Sequence, residues 1–363
     1  MILAHKIRLK PNKAQATYFA KASGVARLAY NWGLAEWKRL YEAGEKPSAF
    51  GIKKAFNAIK REQFPFVLEV TKTAPEQAFA DLGKAFSNFF RGLKKGQDVG
   101  FPKFKSKKRS RQAFYVSNDQ FRVDGKHIRI PKLGWVRMAE VLRFDGKIMG
   151  ARVGRDGNHW FVSIQVEMSH QPFENKLPPV GIDMGIKQLL TLSDGVVAEN
   201  QRYTLRYEKR LRVLNKKLSR QVKGSNNWWK TVDKLRQLHT KIRNCRQDWL
   251  HKWTTFIASN YGLIGLEDLN AKGMMQNHRL AKHIADTSFG EIVRQIEYKQ
   301  HLFGSRVVKI SRWFPSSKTC SACGAVQDMP LSVREYLCEC CGLRLDRDVN
   351  AAINIKNEAL RFA

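Results

Sequence analysis

Long apolar runs are missing from this 363-residue sequence, and none approaches the ~20 residues of a membrane-spanning helix, so a spanning protein is excluded first. The opening residues, MILAHKIRLKPNK, have neither an apolar signal core nor a small-residue cleavage site; a cytoplasmic location is the expectation. Cysteine is sparse, at six residues, and in a reducing compartment these are metal ligands or free thiols rather than a disulfide framework. No internal repeat is present, which sets aside solenoid architectures. Acids are scarce as well. Against 65 Lys and Arg stand 32 Asp and Glu, a net charge of +33, more than solubility needs. A polyanionic partner is implied, because each neutralised phosphate releases counterions and adds affinity.

At this length two or three domains are expected. Residues 2–10 alternate, with Leu3, His5, Ile7 and Leu9 against Lys6, Arg8 and Lys10, which suggests one strand ending at Pro11-Asn12. From there to about Leu93 the pattern is helical, and Phe79, Leu82, Phe86, Phe89 and Leu93 mark one face. The run KFKSKKRSR then places Lys103, Lys105, Lys107, Lys108, Arg109 and Arg111 beside Phe101, Phe104, Phe114 and Tyr115. Basic residues interleaved with aromatics fit a phosphate-contacting linker better than a solvated face. Over 113–167, short apolar segments alternate with Asp124-Gly125, Asp145-Gly146 and Asp156-Gly157, the spacing of hairpins in a small antiparallel barrel that residues 2–10 could complete.

Residues 171–179 carry three prolines and read as a linker. GIDMGIKQLLTLSDG (181–195) then reads as buried strand and turn, and GVVAENQRY as a possible further strand. Two basic helical segments follow. Tyr207, Leu211, Leu214 and Leu218 mark the first; Val232, Leu235, Ile242, Cys245, Trp249, Trp253 and Phe256 mark the second, with KGSNNWW between them as the turn of a helical hairpin. YGLIGLEDLN and SRVVKISRWF read as strands and DRDVNAAINIKNEALRF as a final helix.

An acid inside a buried strand is costly unless something pairs with it. Asp183 occupies such a place, Glu267 ends the apolar run Leu263–Leu266 in the same way, and Asp348 opens the last helix. Singly, each has an ordinary structural explanation as a turn, edge or helix-start acid. Together, two strand ends and a helix start can bring three mutually repelling carboxylates around divalent cations. Mg²⁺ or Mn²⁺ suits phosphoryl transfer, where two ions about 4 Å apart stabilise the attacking water and the leaving oxygen. Asp346 lies two residues, about 200° of helix, before Asp348 and is the better N-cap; Asp268 faces away from Glu267 on a strand, and Asp194 belongs to a turn.

Cys320 and Cys323 (CSAC) and Cys338 and Cys341 (CECC) form two C-x₂-C pairs, each followed by glycine, Gly324 and Gly342. Four thiolates so spaced can enclose one tetrahedral Zn²⁺ in two knuckles, with no open position, hence a structural ion. Cys340 is spare, and Cys245 reads as a core residue.

GIDMGIKQLLTLSDG, LIGLEDLN, SRWFPSSKTCSACG, CECCG and LDRDVNAAINI, with the N-terminal KIRLKPNKAQ, resemble in sequence and order the TnpB family, transposon-encoded nucleases related to type V CRISPR effectors. The resemblance implies a multidomain α/β fold with an RNase H-like (RuvC) mixed-sheet nuclease domain at 180–315 and 344–363, split by a zinc-binding insertion at 316–343. It also implies a helical recognition domain at 11–102 and a small antiparallel β-barrel (wedge) of residues 1–10 and 103–170. Together these would hold a guide RNA and its double-stranded DNA target, with one protein per RNA and no membrane. By motif, Asp183, Glu267 and Asp348 match the three catalytic acids, and Cys320, Cys323, Cys338 and Cys341 the zinc ligands. The expected activity is RNA-guided DNA cleavage for a transposable element. Two other readings stay open: a non-cleaving RNA-guided repressor, and a DNA transposase using the same metal chemistry. The hairpin at about 205–257 lies between the first two acids; it either lines the path of a single strand, with Trp228 and Trp229 stacking on bases, or is plain packing.

Overall fold

Alternation along the first residues makes β1 (Ile2–Leu9), with His5, Ile7 and Leu9 buried and Lys6 and Arg8 exposed, in a computed structural model that describes residues 1–169, 173–330 and 332–362. The chain divides into two compact units, Met1–His170 and Gln171–Ala363. In the first unit, Asn12 caps α1 (Lys13–Glu42) through a reciprocal box: its side chain accepts from the Gln15 N–H, and Gln15 accepts from the Asn12 N–H. Next come α2 (Ala49–Gln63) and α3 (Thr73–Lys94). Phe79, Leu82 and Phe86 are buried as their spacing predicts, whereas Phe89 is half-buried and Leu93 exposed.

The strands β2 (Ala113–Ser117), β3 (Arg122–Asp124), β4 (His127–Ile130), β5 (Gly134–Arg137), β6 (Lys147–Asp156) and β7 (His159–Glu167) complete the unit. They form two antiparallel sheets, β1-β7-β6-β2 and β3-β4-β5, linked at a Leu9–Met138 bridge into a partly open barrel. One core joins barrel and helices: Phe19 of α1 packs against Phe114 and Trp160. Asp124-Gly125 and Asp156-Gly157 lie at hairpin turns as expected. Asp145-Gly146 does not: Gly146 lies just before β6, where a Cβ would stand 2.4 Å from the Glu167 carbonyl oxygen, so this glycine permits a close approach rather than a turn between strands.

Of the expected proline-rich linker, residues 171 and 172 lie outside the described residues. The second unit is built on β8 (Val180–Met184), β9 (Gln188–Leu192) and β10 (Val197–Glu199), followed by α4 (Tyr203–Arg206), α5 (Glu208–Ser219) and α6 (Asn226–Asn260). Then come β11 (Leu263–Glu267), α7 (Ala271–Met274), α8 (His278–Thr287), α9 (Phe289–Phe303), β12 (Arg306–Ile310), the small hairpin β13 (Glu335–Leu337) and β14 (Arg344–Asp346), and α10 (Arg347–Leu360). The sheet order is β10-β9-β8-β11-β12, antiparallel from β10 to β8 and parallel from β8 to β12. Parallel neighbours need crossovers, and helices supply them. The sequence expectation names no element between Asn270 and Arg306, yet α8 and α9 bury Ile284, Phe289, Ile292 and Ile296 there.

Two glycines let α10 lie directly on the sheet. A Cβ on Gly181 of β8 would stand 2.0 Å from the Ala352 carbonyl oxygen and 2.3 Å from the Lys356 nitrogen, and one on Gly265 of β11 would stand 2.8 Å from the Ala359 Cβ. Backbone atoms at Gly181 cannot swing aside. Gly181→Ala is therefore expected to destabilise the protein by roughly 2–4 kcal/mol, an overpacking cost at or above the usual range, measured as a lower midpoint of chemical unfolding. An unchanged midpoint would mean that α10 is free to lift from the sheet.

Candidate active site

Parallel register sets Gly265 beside Gly181 and Leu266 beside Ile182, so the next step pairs Glu267 with Asp183 at the carboxyl ends of two central strands. Alternation gives Asp268 the other face, where it pairs with Arg312. Asp346 caps α10, its carboxylate accepting from the N–H groups of Asp348 and Val349, as its spacing predicts. Asp348 lies one turn, ~6 Å, before the Gly181 contact at Ala352, within electrostatic reach of Asp183.

Burial, then the charges of Glu267 and Asp348, push the Asp183 carboxyl up to about 8, with Arg347 opposing. Burial also raises Glu267, against the Ser316 hydroxyl that donates to its Oε1 at 2.5 Å. Arg334 stands 3.8 Å from Asp348. Burial and mutual repulsion thus both disfavour charge on Asp183, and added positive charge would favour it. Among the described residues only the four cysteines have ligand atoms all within 4.8 Å of one another.

The cysteine cluster is closer to a finished site. Cys320 and Cys341 approach to 3.6 Å between sulfurs, as do Cys323 and Cys338. Four sulfurs ~2.3 Å from one tetrahedral centre would be ~3.8 Å apart, so the thiols already stand at liganding separation. Gly324 (φ +76°) and Gly342 (φ +73°) supply the left-handed turns that close the knuckles. The Cys341 N–H lowers the Cys338 thiol, while hydrogen bonds with the Cys323 and Cys338 sulfurs raise Cys341, so the four sulfurs share their protons as one cluster. Cys340 is exposed and outside the cluster, and Cys245 is half-buried.

Two residues that the sequence reading does not single out tie cluster to acids. Buried Asn350 donates to the Thr319 carbonyl and accepts from the Ser321 N–H; buried Asn354 donates to the carbonyls of Ser316 and Thr319. Their signal was available: two amides spaced i, i+4 on the apolar face of a helix need buried partners.

In the basic linker Lys103, Lys107, Lys108, Arg109 and Arg111 are exposed. Lys105 differs. Asn31 clamps its backbone with two hydrogen bonds, and its ammonium sits 3.6 Å from the Tyr30 ring centre, with burial lowering its pKa. Trp228 and Trp229 lie in the first turn of α6, half-buried and edge to face with centroids 4.6 Å apart.

A mixed five-stranded sheet in this order, acids at adjacent strand ends and a cysteine-knuckle insertion before the last helix define an RNase H-like, RuvC-type fold. A family model described as "Probable transposase" matches residues 163–278, "Cas12f1-like, TNB domain" matches 289–355, and "Helix-turn-helix domain" matches 1–46. The last span holds a strand and one unbroken 30-residue helix. A Streptomyces pristinaespiralis protein named "Putative RNA-guided DNA endonuclease" is 34% identical across 97% of this chain and 88% of its own length. An Escherichia coli K12 protein, "Putative RNA-guided DNA endonuclease InsQ", is 31% identical across 97% and 91%. The chain belongs to the TnpB family. Among solved structures, the protein of a "Cas12f1-sgRNA-target DNA complex" shares the fold at a TM-score of 0.63 and 16% identity, covering 95% of this chain and 83% of that one.

Proposed function

We propose that this protein is the RNA-guided DNA endonuclease of a transposable element, hydrolysing phosphodiesters at Asp183, Glu267 and Asp348. The observation that carries the reading is the placement of Asp183 and Glu267 at the ends of adjacent parallel strands of an RNase H-like sheet, with Asp348 in the first turn of the helix packed on it. Mg²⁺ or Mn²⁺ bound there would supply an activated water and neutralise charge on the scissile phosphate. Asp183, Glu267 and Asp348 would hold the ions through their carboxylate oxygens; the Ser316 hydroxyl donates to one oxygen of Glu267, and Arg334 stands beside Asp348.

Guidance by RNA rests on the names of relatives that match over nearly the whole chain and on the charge of +33. In our assignment, residues 11–102 are the recognition domain and 1–10 with 103–170 the wedge, which bind guide RNA and its DNA heteroduplex through shape and phosphates. Residues 180–315 and 344–363 are the nuclease, and 316–343 hold a structural Zn²⁺. No helix among the described residues is long and apolar enough to cross a membrane, and we assign the protein to the cytoplasm.

The test is sequencing of RNA that co-purifies after expression with the native flanking DNA. A discrete folded species whose end matches that DNA is expected, and reprogramming that end should redirect Mg²⁺-dependent cutting. Only heterogeneous fragments, or joined rather than free DNA ends, would move the reading to an unguided nuclease or a transposase.

A further inference from the structure

The segment that brings Ser316 to Glu267 also carries a side chain that neither the fold nor the chemistry above uses. Trp313 is 86% exposed, the most exposed large apolar side chain among the described residues, and of the other eight tryptophans the next is Trp135 at 45%. Its ring meets no other ring and no cation among the described residues. A lone exposed apolar side chain is ordinary. What sets this one apart is how firmly its neighbours are held.

β12 ends at Ile310, opposite Glu267 in parallel register. The chain then turns: the Phe314 N–H donates to the Ser311 carbonyl at 3.1 Å, and the Trp313 N–H donates to Ser311 Oγ at 3.3 Å. On one side of Trp313, Arg312 is tied to Asp268, the residue after Glu267; on the other, Phe314 packs against the small core of Ile310, Ile355 and Ala359. Two residues past Phe314, Ser316 donates to Glu267 itself. Trp313 is three residues from both Ile310 and Ser316, at most ~11 Å of chain in either direction. The indole is therefore presented from a fixed turn beside the candidate acids, and little conformational freedom is left to lose when something covers it.

A rigid aromatic face left in water next to a phosphodiester-cleaving site matches the face of an unpaired base, which stacks on it whatever its identity. Bases inside a duplex are already covered on both sides by their neighbours. A protein partner would need a patch, and here Arg312 and Lys318 are charged and Phe314 turns inward.

We infer that Trp313 is a stacking platform for one unpaired base of the DNA strand being cut, and that it positions the neighbouring phosphodiester at Asp183, Glu267 and Asp348. The inference rests on the endonuclease reading above and adds a positioning residue to it.

The test uses the full chain purified with the RNA that accompanies it, and a matching DNA duplex in which nucleotides around the cut are replaced, one at a time, by abasic ones. Trp313→Ala should cut about tenfold more slowly while keeping the Tm and zinc content of the wild type, and Trp313→Phe should keep most of the rate. In the wild type one abasic position should reproduce that loss. In Trp313→Ala the same abasic position should cost nothing further, a coupling that identifies the base beneath the ring and that a structural tryptophan would not show. Trp313→Ala cutting at the wild-type rate would overturn the inference. So would a loss that phenylalanine does not restore and no abasic position shares, which would assign the ring to a protein contact. A wild type that leaves DNA uncut would sink the endonuclease reading and this inference with it. A wild type that cuts without RNA would sink guidance alone, and the same comparison at the position it cuts would still decide the role of Trp313.

Discussion

Asp183→Asn is expected to abolish Mg²⁺-dependent DNA cutting, by at least about 10³-fold, while leaving nucleic-acid binding intact and making the metal-free protein more stable. The stability gain follows from proton linkage. In the unfolded chain this carboxyl titrates near 3.8, whereas in the fold burial and then Glu267 and Asp348 push it to about 8. Between those values the native state holds a proton that the unfolded state has released. Stability therefore falls as pH rises from about 4 towards about 8, and the penalty is complete above the upper value. The neutral amide has no such dependence, so the variant should gain on the order of a few kcal/mol near neutral pH, read as a higher Tm whose excess grows from about pH 5 to about pH 8. Added Mg²⁺ should stabilise the wild type increasingly as pH rises, and the variant much less. A variant that still cuts would remove Asp183 from the chemistry; one that is less stable at every pH would mean the acid is held by the fold rather than strained within it.

This opposition of stability and function explains which parts of the molecule were legible in the sequence. Asp183 and Glu267 stood out because an acid at the end of a Val-Ile-Leu run contradicts its surroundings, and parallel register then sets the two side by side. The cysteine knuckles were legible because four cysteines within 22 residues need little tertiary context to meet. Helices α8 and α9 were missed because their apolar positions are interrupted by His, Arg, Lys and Gln, which tertiary packing tolerates: Lys299 is buried yet bonded to the His251 carbonyl and to the Thr254 and Thr255 hydroxyls. The role of Gly181 was invisible for a different reason. Nothing local marks a glycine whose purpose is to admit a helix 171 residues downstream, and only the sheet brings Ala352 to it. Lys105 was read from composition as a phosphate contact; whether a lysine in a basic run faces solvent or Tyr30 depends on Asn31, far away in sequence.

Cys320→Ser is expected to remove the bound zinc, one ion per chain by metal analysis, and with it most DNA cutting. The insertion has little else to hold it. Its buried core is Cys320, Tyr336 and Cys338, so two of its three members are themselves candidate ligands. Metal binding in such small domains is folding free energy, about 10–16 kcal/mol in isolated zinc-finger peptides, and serine does not replace the thiolate. The effect should reach the acids through named bonds. Asn350 and Asn354 of α10 hold Thr319, Ser321 and the Ser316 carbonyl, and the Ser316 hydroxyl holds Glu267, while Arg334 within the insertion faces Asp348. When the knuckles open, Ser316 and Arg334 lose their fixed positions, and outer-shell losses of this kind typically reduce activity by about 10–100-fold. The sheet itself, with its separate core of Val180, Ile182, Ile264 and Leu266, should survive, so a two-step thermal transition is expected in place of one. Cys340→Ser is the control, since this exposed thiol lies outside the four-sulfur cluster and its loss should leave zinc content and cutting unchanged. Full zinc occupancy in Cys320→Ser with loss of zinc in Cys340→Ser would reassign the ligand set. Loss of zinc without loss of cutting would sever the path from Ser316 to Glu267.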